Sequence, residues 1–278
     1  MKVTILGCGG SGGVPLIGCR CPVCSSADPR NLRSRVSILI EAGGRRLLVD
    51  ASPDLRQQFL ANGITAVDAV ILTHAHADHL HGIDDLRAVN YARNAPLEVW
   101  ADAATLREAT TRFGYAFNPP RTNAGIWYAP SLVGRELAAG ETRAVGGIEV
   151  TIFGQTHGGG REPTLGLRVG DFAYSTDVKE MPEAAFATLA GVDTWIVDCL
   201  QEQPNPAHSH LPQTLAWIAR VRPRRAVLTH MSHRLDYAML AAKLPAGVEP
   251  GVDGLVLEIA VDPAIEAMDH GAVASQAS

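Results

Sequence analysis

No apolar run in these 278 residues approaches the length of a membrane-spanning helix, which argues against an integral helical membrane protein. Nor is there a signal-peptide pattern, because Met1-Lys2 runs straight into the strand-like Val3-Thr4-Ile5-Leu6. The expected compartment is therefore the cytoplasm. Charged residues make up only 19% and the formal net charge is −5, so the broad basic footprint of bulk nucleic-acid binding is missing. Arg30, Arg33 and Arg35, with Arg45 and Arg46, remain as candidates for a local basic patch. Charge runs, low-complexity linkers and Pro/Ser-rich boundaries are also missing, which favours one packed domain. Five cysteines in a reducing compartment do not read as a disulfide framework.

What the sequence does carry is concentrated chemistry. Thr73-His74-Ala75-His76-Ala77-Asp78-His79 follows the apolar run Ala69-Val70-Ile71-Leu72, which reads as a buried strand. Three imidazoles and a carboxylate on the turn leaving a strand are well placed to be held rigidly as metal ligands. The mixture of nitrogen and carboxylate oxygen suits Zn²⁺, Mn²⁺ or Fe²⁺. Four candidate ligands in six residues exceed what one ion needs from one loop, so two ions sharing the loop are expected. Distant partners repeat the pattern of a polar residue just past an apolar β-like run. They are His157 after Ile148–Phe153, Asp177 after Phe172–Ser175, and His230 after Ala226–Thr229.

Two further segments stand out. Gly7-Cys8-Gly9-Gly10-Ser11-Gly12-Gly13-Val14-Pro15 is too loosely spaced for a dinucleotide fingerprint, and reads instead as backbone passing close to the site. Cys19-Arg20-Cys21-Pro22-Val23-Cys24 offers three thiols to a soft metal, with a structural Zn²⁺ and one more ligand as the leading reading. A redox pair or an Fe–S site are the alternatives. Cys8 and Cys199 are isolated, so His233, three residues after His230, is the better fourth ligand.

The remaining elements are read as strands at 36–41, 45–50, 97–100, 148–153, 164–169, 171–175, 194–198 and 224–229. Helices are expected from Ser52 through Leu60, and over 79–92, 103–112, 182–189, 211–221 and 234–244. The aromatic, Gly/Pro-rich stretch 113–131 reads as a lid, a dimer contact or a packed loop. His81 reads as a helix-surface residue. The tail is small and polar, and His270 in it is incidental.

The set HxHxDH followed by distant His, Asp and His resembles the metallo-β-lactamase superfamily of two-metal hydrolases. Combined with the Gly-rich loop, CxCxxC and Thr229-His230-Met231-Ser232-His233, it is similar to the PhnP-type phosphodiesterases. The resemblance implies an α+β fold, an αββα sandwich of two mixed β-sheets flanked by helices. It implies a single hydrolase domain over 1–262 with a tail over 263–278. It also implies that His74, His76 and His157 hold one divalent metal, that Asp78, His79 and His230 hold another, and that Asp177 bridges them. Cys19, Cys21, Cys24 and His233 match the family's structural zinc ligands, and Asp50 the residue that supports a ligand histidine from behind. The implied reaction is attack of a bridging hydroxide on a small cyclic phosphodiester, with 5-phosphoribosyl 1,2-cyclic phosphate as the family substrate. Asp78 counts as catalytic as well as a ligand. For the general acid, His208 lies 22 residues before His230 as in the family, and His210 competes, because the second position of His-Ser-His departs from the family's aspartate.

The alternatives are a 2′,3′-cyclic nucleotide or other small diester, an RNase Z-like nuclease, a thioester or lactone hydrolase, and a PQQ-biosynthesis-like accessory protein. An RNase Z-like enzyme should carry a basic surface, and the PQQ proteins have a disrupted metal loop. A small phosphorylated partner is expected, without membrane or nucleic acid. Family resemblance alone points to a homodimer.

Overall fold

In a computed structural model that describes residues 1–118, 128–160 and 162–260, the chain folds into two seven-stranded sheets. The first contains β1 (Lys2–Gly7), β2 (Ser37–Ala42), β3 (Arg45–Val49), β4 (Ala69–Ile71), β5 (Leu97–Ala101) and β6 (Leu132–Glu136). The second contains β7 (Thr142–Val145), β8 (Ile148–His157), β9 (Glu162–Val169), β10 (Phe172–Ser175), β11 (Thr194–Asp198), β12 (Arg225–Thr229) and β13 (Val248–Pro250). The last strand, β14 (Val256–Glu258), returns to the first sheet beside β1.

The orders are β14-β1-β2-β3-β4-β5-β6 and β13-β12-β11-β10-β9-β8-β7. Each sheet makes three antiparallel pairings and then three parallel ones. β3 and β10 therefore hold matching places, and so do the residues that follow them, Asp50 and Asp177.

Alternation builds the layers. Ile38 and Ile40, Leu47 and Val49, and Ala69 and Ile71 enter the core shared with Val150, Ile152, Leu165 and Leu167 of the second sheet. Leu39, Leu48, Val70 and Leu72 face the other way, onto helices α1 (Leu55–Ala61), α3 (Leu86–Arg93) and α4 (Ala103–Arg112). Strands buried on both faces read as continuous apolar runs. Hydrophobicity alone then cannot choose their register. The Gly43-Gly44 turn does so for β2 and β3, setting Ala42 against Arg45. On the second sheet α6 (Glu183–Leu189) and α7 (Leu211–Val221) contribute Ala185, Leu189, Leu211 and Ile218 to the core. Among the described residues no helix is long and apolar enough to cross a membrane.

The structure corrects several expectations. The helix expected over 79–92 is broken into α2 (Ala77–Leu80), a single 3-10 turn and α3. The break lies at Gly82, where a Cβ would stand 1.9 Å from the carbonyl oxygen of Ser52, so the chain passes Ser52 closer than any side chain permits. The helix expected over 234–244 shrinks to α8 (Tyr237–Ala241), capped by Asp236. Strands β6, β7, β13 and β14 are short edge strands whose weak periodicity leaves no strand signal in the sequence. In the stretch 113–131, α5 (Gly114–Phe117) is a single turn, and 119–127 lie outside the described residues, as do Arg161, His270 and the tail.

The candidate basic patch does not form. Arg30 pairs with Asp28, Arg35 with Asp54, Arg45 with Asp68 and Arg46 with Glu41. Arg33 is buried and donates to the carbonyls of Ser232 and Leu235. It staples the Gly-rich loop region to the segment carrying His230 and His233.

Candidate metal centre

Six polar side chains gather at strand exits. Asp50 leaves β3, His74 leaves β4, His157 ends β8, Asp177 follows β10, Asp198 ends β11 and His230 follows β12. Asp50, Asp177 and His230 adopt left-handed backbone, with φ of 65°, 50° and 56°. A non-glycine residue in that region is uncommon, and its recurrence at three strand exits marks a site that holds strain.

The metal loop is fixed from below. Asp50 is fully buried and accepts from the backbone N–H of Thr73 at 2.8 Å and from its hydroxyl at 3.0 Å. Its other oxygen lies 2.7 Å from Nδ1 of His79. This orients the ring so that Nε2 faces Asp177 at 3.0 Å and Asp78 at 3.4 Å. His74 is held through Nδ1 by the Thr73 hydroxyl at 3.1 Å, and His157 through Nδ1 by the Ala207 carbonyl at 2.7 Å. Such partners fix both tautomer and ring direction of a ligating histidine. From outside, the Arg112 guanidinium donates to the carbonyl of Ala75, between His74 and His76.

Two four-donor groups of mutually close atoms result, beside a three-donor group of Asp198, His208 and His230. One contains His74, His76, His157 and Asp177; the other contains Asp78, His79, Asp177 and His230. Asp177 belongs to both. His76 is the partly exposed member, and the others are buried. His208 enters the same space, with Nδ1 3.5 Å from Asp198 and 3.9 Å from Asp177, and its ring stacks on that of His230 at 4.5 Å. His210 does not. It stands at the start of α7, with Nδ1 3.1 Å from the Gln213 side chain. His81 stays outside as well, edge-on to Phe113.

Asp198 joins the cluster beyond the residues that the sequence motifs point to. It is fully buried, places Oδ2 by the backbone N–H of Ser209, and approaches Nδ1 of His230 at 3.7 Å through Oδ1. Its sequence signal was the one that marked Asp177 and His230, since it follows Trp195-Ile196-Val197.

The electrostatics call for positive charge. Burial alone would raise the Asp177 and Asp78 carboxyls, but the surrounding imidazoles outweigh it and hold both below the usual carboxylate range. Burial would likewise lower His79 and His230. Asp177 with the other nearby carboxylates reverses this, pushing His79 well up and His230 up to about 9. His74 and His157, with less carboxylate company, are driven down by burial. Nε2 of His74 is a buried polar atom without a hydrogen-bond partner among the described residues. Oriented imidazole nitrogens converging on carboxylate oxygens fit divalent cations.

The Gly-rich loop lies directly against this cluster. A Cβ on Gly10 would stand 3.4 Å from Cε1 of His230. Backbone bonds from Met231 to Cys8 and from Gly10 to Met231 lock the loop to the strand exit. Beyond it, Cys19, Cys21 and Cys24 form a group of mutually close thiols. Backbone N–H groups of Leu16, Cys21 and Cys24 donate to their sulfurs. The His233 ring is not part of that close group. Its backbone carbonyl lies 3.7 Å from Cys21 Sγ, and both residues line a cavity of about 470 Å³. Cys8 and Cys199 are buried in the core outside the thiol group, and the Cys8 thiol donates to Asp253.

A family model described as a beta-lactamase superfamily domain matches residues 45–231. The chain is 35% identical over 261 residues to an octanoyltransferase of Porphyromonas gingivalis, a match that covers 92% of this chain and 51% of that protein. It thus spans about half the length of that relative. Among solved structures, a diphosphatase from the PhnP family is similar at a TM-score of 0.85 and 33% identity, covering 94% of this chain and 98% of that one. Zn²⁺-bound PqqB from Methylobacterium extorquens is similar at 0.75 and 25% identity, covering 93% and 100%. With its two mixed seven-stranded sheets, its flanking helices and a His/Asp cluster at the strand exits, this chain belongs to the metallo-β-lactamase superfamily, in its PhnP-type branch.

Proposed function

We propose that this chain hydrolyses small cyclic phosphodiesters, with 5-phosphoribosyl 1,2-cyclic phosphate as substrate and ribose 1,5-bisphosphate as product. The observation that carries this is the sharing of Asp177 by two four-donor groups. It supports a pair of divalent cations, Zn²⁺, Mn²⁺ or Fe²⁺, at adjacent positions. His74, His76 and His157 hold one, Asp78, His79 and His230 the other, and Asp177 both. Such a pair lowers the pKa of water toward neutrality and offsets charge building on phosphoryl oxygens.

The protein's own part is orientation and proton delivery. Asp50, Thr73 and the Ala207 carbonyl aim the imidazoles, and burial keeps bulk water from competing with them. His208 is the general acid. The Asp198 carboxylate lies 3.5 Å from its Nδ1, leaving the opposite nitrogen to face the departing oxygen and protonate it. Cys19, Cys21 and Cys24 hold a structural zinc. His233 completes that site by rotating its ring toward Cys21, beside which its backbone already lies. The pairing of the surface arginines with acidic residues supports a small substrate over RNA.

A second reading has an observation of its own. The similar PhnP-family structure is described as a diphosphatase, and the same cluster suits a phosphoanhydride as well as a cyclic ester. Hydrolysis by metal-reconstituted protein decides between them, using phosphoribosyl 1,2-cyclic phosphate, 2′,3′-cyclic AMP, a nucleoside diphosphate, a thioester and a lactone. Preference for the phosphoribosyl ring is the expected result. Turnover of the thioester or lactone alone would overturn the phosphoryl-transfer reading.

A further inference from the structure

We propose that Glu162 is a carboxylate ligand at the exposed lip of the His74/His76/His157 cation site, where it and His76 capture an incoming divalent ion. This rests on reading the cluster as a cation site. Glu162 begins β9 and is the cross-strand partner of His157, at the closed end of the β8–β9 hairpin. Directly opposed residues of an antiparallel pair project to the same face, so the register delivers both side chains to the cluster.

Oε2 of Glu162 lies 3.1 Å from Nε2 of His76. Two donors each about 2.1 Å from a single ion stand roughly 3.0–3.4 Å apart, so this is the spacing of two ligands on one cation. Glu162 lies outside the four mutually close donors of that group, which places it at the edge.

The alternative is an ordinary surface ion pair. With side chains 44% and 54% exposed, such a pair is only weakly held. That would not account for its position. His74, His79 and His157 each have Nδ1 anchored by a buried or backbone partner, whereas the side-chain partner of His76 among the described residues is Glu162. The solvent-facing edge of the cluster is therefore built by this pair, and an arriving cation meets it first.

The test is a chelator-competition titration of the metal-stripped full chain with Zn²⁺. E162Q is expected to keep one cluster cation at wild-type affinity and to bind the other about 10- to 100-fold more weakly. The thiol site serves as the internal control. E180Q makes the same charge change beside the same hairpin, at a residue bridged to Thr156, and is expected to bind both cluster cations like wild type. Equal affinity in E162Q and wild type would overturn the proposal, as would an equal loss in E180Q, which would reduce the effect to general negative potential. A wild-type chain that binds no cation at the cluster would sink the metal-site reading along with this one, whereas two cations bound alike by wild type and E162Q would sink this one alone. Unchanged thermal unfolding of stripped E162Q shows that any loss does not come from misfolding.

Discussion

Oδ2 of Asp50 lies 2.7 Å from Nδ1 of His79, and neither side chain is reached by solvent. The carboxylate thereby decides which nitrogen of His79 faces the cluster. Asp50→Asn is the sharpest probe, because asparagine tolerates the left-handed backbone at this position and can still accept from the Thr73 N–H. Its amide would donate where His79 must donate. Cation affinity at the Asp78/His79/His230 position is expected to fall about 10- to 100-fold, with little change in thermal unfolding of the stripped protein. Wild-type affinity, measured by metal titration, would refute the orienting role.

The two histidines of the 208–210 loop should separate cleanly. His208→Ala is expected to lower kcat by about 10²- to 10⁴-fold, the usual range for losing a general acid. His210→Ala should stay within a few-fold of wild type, since that ring pairs with Gln213 away from the cluster. The reverse order, in steady-state kinetics on a diester with a poor leaving group, would reassign the acid.

Stability of the metal-stripped protein should depend on pH in a definite sense. The His230 pKa is raised to about 9 in the fold because Asp177 and its neighbours outweigh burial. Unfolded, it returns to about 6.5. The folded state therefore holds the proton more tightly, and this contribution is fully present below about pH 6.5 and lost as pH rises through about 9. His79, also raised, adds in the same direction. Tm of stripped protein is expected to fall between those values. Metal-loaded protein should not follow that fall, because the cation replaces the proton and binds better as the ligands deprotonate. Parallel Tm profiles would show that the cation does not contact these rings.

Cys21→Ser is expected to release one zinc per chain and to leave the cations of the His/Asp cluster in place. Loss of a structural site should cost at least about 2 kcal/mol, a fall of roughly 4–8 °C in Tm. Unchanged zinc content by elemental analysis would return the thiols to a redox or incidental role.

The sequence by itself determined the strands that are apolar on both faces, because burial writes itself into composition wherever a strand is sandwiched between layers. It also determined which residue types would leave those strands: the HxHxDH loop, His157, Asp177 and His230. What it could not determine was depth and direction. His79 and Glu162 each meet a partner more than twenty residues away: the parallel pairing of β3 with β4 brings Asp50 to His79, and the stacking of the two sheets brings Glu162 to His76. The same holds for Asp198, whose pattern was present but whose meaning depends on His208 arriving from the next loop. The interrupted helix at Gly82 was hidden because its cause is the carbonyl of Ser52, a contact that no local propensity encodes. His208 and His210 are indistinguishable by local sequence. Tertiary structure separates them, since successive alternate residues reach different neighbours once the loop is pinned by Ser209 to the buried Asp198.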